Sequence, residues 1–177
     1  MRFTTRMDRP NGGRNGNLTE AHIVKDAMTG VSAVRAEFGD PIYLIGESMG
    51  CAVAAAAAAK SSQPIAGLLL ITPWDSLAAV AQSHYWYLPA SWLVKDRFDS
   101  IAYLKGFERP VAVAMAEKDR VIPNKHTMAL YDALTAPKKL WRFENAGHND
   151  WPIHPSASWW KEAMAHITTN HPGSAPP

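Results

Sequence analysis

The sequence predicts an α/β fold, a mostly parallel sheet with flanking helices, and three observations carry that prediction. Residues 41–45, 65–72 and 110–116 are short, almost continuously apolar runs, the pattern of strands buried on both faces. Segments of helical character alternate with these runs, and such alternation builds a parallel sheet. Between the first run and the alanine-rich residues 51–60 lies Gly46-Glu47-Ser48-Met49-Gly50, which makes the junction a tight strand-to-helix turn.

In chain order, residues 1–17 read as loop. Arg2, Arg6, Asp8 and Arg9 stand among few apolar residues, and 10–17 is rich in Gly and Asn. Thr19 then caps a helix running to about residue 37, with Ile23, Val24, Ala27, Met28, Val31 and Val34 on one face. Gly39, Asp40 and Pro41 end it and open the first strand, 41–45. After the helix 51–60 comes the strand 65–72, whose consecutive Leu68, Leu69, Leu70 and Ile71 are closed by Pro73. The pattern changes over 74–108. A short helix at 75–82 precedes Tyr85-Trp86-Tyr87-Leu88-Pro89 and Trp92-Leu93-Val94, large side chains with no strand period. These read either as a small lid over the C-terminal strand ends, shaping a binding groove, or as core packed on the sheet, and both readings stay open. A third strand is expected at 110–116, a helix at 124–134, a fourth, half-buried strand at 138–143 and a closing helix at 156–167. The tail 172–177 reads as disordered. Residues 1–171 thus form one domain with no internal repeat.

Composition limits the function. At 47% hydrophobic and 10% aromatic residues, 177 residues suffice for one real core. A net charge of +2 is too small to point to nucleic acid or a membrane surface. Cys51 is the single cysteine, so no internal disulfide forms and a reducing, cytoplasmic setting is expected. It sits past the turn and reads as a small apolar side chain rather than a nucleophile. No signal-peptide plan and no bilayer-length apolar run is present, so a soluble protein without a membrane span is expected.

The chemistry begins at Ser48. A serine at such a turn is held in strained backbone geometry with its hydroxyl above the sheet, and Gly46 and Gly50 flank it where a Cβ is expected to collide. The helix that follows points its N-terminus at the place where an oxyanion would form. Asp119 follows the third strand and His148 the fourth, so a parallel sheet delivers all three residues to one side. A serine hydroxyl is a weak nucleophile until a base takes its proton; His148 would accept it, and Asp119 would hold the imidazole and stabilise its cation. Asp150 and Glu117 compete for the acid role, but Asp150 follows the histidine too closely and Glu117 lies nearer the strand. His22, His84, His126, His154, His166 and His171 have no comparable strand-end context. Glu47, beside the serine, either tunes the site or faces solvent.

With those residues in place, the chain resembles an α/β-hydrolase of the serine-hydrolase type, close to the alpha/beta hydrolase domain-containing and BEM46-like proteins. The resemblance rests on Gly46-Glu47-Ser48-Met49-Gly50, on Asp119 with Val121-Ile122-Pro123, and on Ala146-Gly147-His148-Asn149-Asp150. Gly12-Gly13-Arg14-Asn15-Gly16 with Leu18-Thr19-Glu20 also resembles the family's glycine-rich loop and the helix before the elbow strand. It implies hydrolysis of carboxylic esters or related acyl substrates through an acyl-enzyme on Ser48, without a cofactor or metal. The backbone N–H of Met49 would be one oxyanion donor. One departure stands out: the 47 residues before Ser48 contain no His-Gly, the motif that supplies the family's second donor. Loss of one donor costs about 10²–10³ in turnover. The elbow strand would also lack its usual neighbour, leaving an open apolar edge through which another copy is expected to pair. Three readings follow: a serine esterase with a reduced sheet, a weak or inactive C-terminal fragment of a longer hydrolase, and a non-enzymatic binding protein on the same fold.

Overall fold

The computed structural model describes residues 19–154 and 156–169. The loop expected over 1–17, its glycine-rich stretch and the tail 172–177 lie outside those residues. The described chain runs α1 (Glu20–Phe38), β1 (Tyr43–Glu47), α2 (Met49–Lys60), β2 (Gly67–Ile71), α3 (Leu77–His84), α4 (Ala90–Leu93), α5 (Ser100–Leu104), β3 (Val111–Ala116), α6 (Asn124–Ala133), β4 (Lys138–Phe143) and α7 (Ser158–Thr169). Its four strands form one parallel sheet in the order β1-β2-β3-β4.

Both faces of the sheet are covered at β2 and β3, which is why these central strands read as unbroken apolar runs. Leu68, Leu70, Val111 and Val113 point to a core that includes Cys51, Ala54 and Ala55 of α2, Leu104 of α5 and Leu130 of α6. The alternate residues Leu69, Ile71, Ala112 and Ala114 face Trp159, Ala163 and Ile167 of α7. Small side chains set the spacing on this second face. A Cβ on Gly67 would lie 3.0 Å from the Ile167 carbonyl oxygen, so α7 sits directly on β2. On the first face, Ala52, Ala54, Ala55, Ala56 and Ala57 are all buried, and α2 packs closely between α1, α5 and the sheet. Alanine combines high helix propensity with the smallest apolar side chain, so it serves both ends at once.

The helix before the first strand forms as expected: Thr19 Oγ1 accepts the His22 N–H, and Gly39 ends α1 in a left-handed conformation with φ 74°. The first strand begins two residues later than its apolar run. Pro41 has no N–H, and Ile42 uses its carbonyl to accept from Ala66 before the ladder with β2 starts at Tyr43. Segment 74–108 carries more helix than the single stretch expected there. Asp99 caps α5 by accepting the Ala102 N–H at 2.9 Å, which settles that helix against α2 and α6. Trp86 and Trp92 are 79% and 87% exposed, so these aromatics do not pack on the sheet as core. No described helix is long and apolar enough to cross a membrane.

Candidate active site

Ser48 caps β1 and opens α2. Its backbone adopts φ 50°, a region unfavourable to any residue with a Cβ, and the sheet holds it there: Ser48 N–H donates to the Ile71 carbonyl at 2.9 Å, and its own carbonyl accepts from Cys51. The turn needs Gly46. A Cβ on Gly46 would lie 2.5 Å from the Gly50 carbonyl oxygen, a contact real side chains do not make. Gly50 does not share that constraint. A Cβ there would meet nothing within 4 Å, because it points away from the strand–helix seam, and the expected collision at this position is corrected. Cys51 is buried below the turn; its thiol donates to the Gly46 and Ile71 carbonyls, and burial pushes its pKa strongly upward. That fits a packed side chain and not a thiolate nucleophile.

His148 lies on the loop after β4 and Asp119 on the loop after β3. Their side chains meet Ser48 in one line: His148 Nε2 is 2.9 Å from Ser48 Oγ, and His148 Nδ1 is 2.7 Å from Asp119 Oδ2. The Asp119 side chain is only 2% exposed, and its second oxygen, Oδ1, accepts the N–H groups of Val121 and Ile122 at 2.8 Å each. Two backbone donors fix the carboxylate so that Oδ2 has one direction left, toward the imidazole. The rival acids are engaged elsewhere. Asp150 accepts the Gly147 N–H inside the histidine loop, and Glu117 lies 3.7 Å from Arg142. The arrangement can pass a proton from hydroxyl to imidazole while the carboxylate holds the ring.

Met49 begins α2, where first-turn N–H groups have no acceptor within the helix. The side chain of Met49 is half exposed, which leaves the mouth of the site open. Glu47 is not an idle surface carboxylate: it accepts the indole N–H of Trp151 at 2.8 Å.

A second line of similar chemistry has a signal that the sequence reading passed over. Asp75 follows β2 as Asp119 follows β3, and it accepts from His126 Nδ1 at 3.0 Å, while His126 Nε2 lies 2.9 Å from Ser83 Oγ. His126 therefore does have a strand-end partner, contrary to expectation. The difference from the first line is Ser83, which sits within α3 and donates its hydroxyl to the Val80 carbonyl at 3.0 Å. A hydroxyl committed to its own helix is a tether between α3 and α6, not a turn-held nucleophile.

Comparison with known proteins agrees with this architecture. The sequence model of the serine aminopeptidase S33 family (Hydrolase_4) matches residues 11–103, more than half of the chain and the part that contains Ser48. An uncharacterized protein of Mycobacterium tuberculosis is 34% identical over 147 residues, covering 78% of this chain and 50% of the relative. The chain thus spans about half the length of the curated relatives it matches. Among solved structures, an esterase of Pyrococcus furiosus superposes with a TM-score of 0.67 at 18% identity, covering 89% of this chain and 64% of that one. An acetyl xylan esterase from a Paenibacillus species gives 0.60 at 20% identity, covering 86% and 52%. At such identities the likeness is one of fold.

Proposed function

Because the chain belongs to the serine aminopeptidase S33 family of α/β hydrolases, we propose that it is a serine hydrolase cleaving carboxylic esters or related acyl substrates through an acyl-enzyme on Ser48. The observation that carries this reading is the unbroken hydrogen-bond line Ser48–His148–Asp119, made by residues 100 and 29 positions apart in sequence. His148 Nε2 takes the hydroxyl proton as Oγ adds to the acyl carbonyl, then gives it to the departing alcohol. Asp119 holds the ring through Nδ1 and stabilises the imidazolium that forms between those steps. The Met49 N–H, with the positive end of α2 behind it, faces the oxygen as it becomes an anion. Water then repeats the sequence on the ester carbonyl of Ser48 and releases the acid. No step needs a cofactor or metal. The exposed Trp86 and Trp92 form part of a small lid that favours apolar acyl groups. The apolar outer edge of β1 pairs with a second copy.

Labelling with a fluorophosphonate tests the reading. The wild type is expected to label, Ser48→Ala to lose all labelling, and Asp119→Asn to keep its fold while labelling falls by roughly 10⁴, the scale reached when an orienting carboxylate is lost. Equal labelling of wild type and Ser48→Ala removes Ser48 from the role. Parallel assays with a short-chain aryl ester and an aminoacyl anilide distinguish the ester reading from the peptidase activity in the family's name.

A further inference from the structure

We infer that Trp151 and Glu47 form a positioning pair that sets His148 against Ser48, an inference that rests on the serine-hydrolase reading above. Each of the three loops holding the polar line is tied to another. Ser48 N–H donates to the Ile71 carbonyl, which fixes the nucleophile turn to β2. Lys118 N–H donates to the Ala146 carbonyl, which fixes the Asp119 loop to the front of the histidine loop. The back of the histidine loop is held by Trp151, three residues past His148, whose indole Nε1–H reaches across to Glu47 Oε1. Glu47 is the residue immediately before the nucleophile. The bond therefore joins the base's loop directly to the nucleophile's strand.

The indole has little freedom to be elsewhere. Trp151 is 4% exposed and meets Trp159 edge to face at 5.7 Å and Trp160 at 6.0 Å. Those two rings stack on each other at 4.3 Å, and their own N–H groups donate to the Pro152 and Ile153 carbonyls, the residues next in the same segment. Thus α7 grips the chain just beyond the histidine with two indoles and aims the third at the nucleophile strand. The acceptor is a carboxylate, so the bond is of the stronger, charge-assisted kind. Reactive geometry is sensitive: about 1 Å of displacement costs on the order of 10²-fold in rate. A tether three residues from the base is close enough to act on that scale.

Three substitutions separate positioning from charge and from packing. Trp151→Phe keeps an aromatic ring in the cluster and removes the donor. Glu47→Leu removes the acceptor, and Glu47→Gln keeps an acceptor while removing the charge. With an aryl ester substrate, Trp151→Phe and Glu47→Leu are expected to lower kcat by roughly 10-fold with little change in KM. Their fluorophosphonate labelling should slow in step, with thermal midpoints near that of the wild type. Glu47→Gln should retain at least half of kcat. The double variant Trp151→Phe/Glu47→Leu should be no slower than either single change, since both remove one interaction. The inference is overturned if Trp151→Phe keeps wild-type kcat, if Glu47→Gln is as slow as Glu47→Leu, or if the losses follow loss of thermal stability. Failure of the wild type itself to label at Ser48 overturns the hydrolase reading and this inference together; normal wild-type labelling with an unaffected Trp151→Phe overturns the inference alone.

Discussion

Two glycines in one pentapeptide carry opposite constraints. Gly46 lies where the helix closes on the strand, and its missing Cβ is what lets the Gly50 carbonyl approach. Gly50 occupies the first turn of α2 with open space around the direction its Cβ would take. Gly46→Ala is therefore expected to cost about 1–3 kcal/mol or more, because the clash is with backbone that has no rotamer to change. Gly50→Ala should be neutral or stabilising by up to about 1 kcal/mol, the gain from replacing glycine inside a helix. Chemical denaturation of the two variants checks both signs. A destabilised Gly50→Ala would mean that the turn needs more room than the Cβ positions indicate. The same scale of detail separates the two serine–histidine–aspartate lines: Ser48 is held at positive φ outside the helix, and Ser83 is inside one.

At the scale of elements, the start of α1 is clamped to α5 and to the segment before it. Glu20 accepts from the Tyr103 hydroxyl through Oε1 and from the Phe98 N–H through Oε2, and its own N–H donates to Asp96. Partial burial, with the Glu20 carboxylate beside it, raises the Tyr103 pKa from its usual value of 10.0 to about 12. The phenol is neutral in its protonated form, so the fold favours proton retention. Between about pH 10 and 12 the unfolded chain releases that proton while the folded chain keeps it. The contribution is fully present below pH 10 and is lost as pH rises through the folded value. Stability should thus fall with pH across that window, and Tyr103→Phe should flatten part of the fall. Denaturant midpoints measured at several alkaline pH values check this; identical slopes for the two proteins would remove Tyr103 as the cause. A parallel tether, Asp75–His126–Ser83, joins the end of β2 to α3 and α6. Both clamps hold the segment that carries the exposed aromatics.

For the molecule as a whole, the arrangement of the described strands is asymmetric. Residues of β2 and β3 are buried throughout, whereas Tyr43, Leu44 and Ile45 of the outer strand β1 are only partly buried. Among the described strands β1 pairs on one side only, and an apolar strand so placed favours association, as do side chains such as Trp86, Trp92 and Leu93 held in solvent. The purified chain is expected to sediment at low micromolar concentration as a dimer or larger species. A stable monomer in the wild type would exclude pairing through β1.

The sequence by itself determined the order of the strands and of the longer helices, though not α4 and α5, together with the buried character of β2 and β3 and the strand–turn–helix around Ser48, because each is a local pattern: an apolar run, a capping residue, a glycine two positions before a serine. The parallel order also follows, since strands separated by helices return to one side of the sheet with their C-terminal ends together. That made it possible to name Ser48, Asp119 and His148 as candidates from their loops alone. Only the tertiary structure decided what those loops do to each other. Trp151 and Glu47 are 104 residues apart, and Asp75 and His126 are 51 apart; no periodicity records such pairs, because a side-chain hydrogen bond depends on where two elements come to rest. The exposure of the aromatics at 85–93 has the same origin. Hydrophobic composition suits both a core and a surface; here residues of α2, α5 and α6 fill one sheet face and residues of α7 the other, and those rings lie outside.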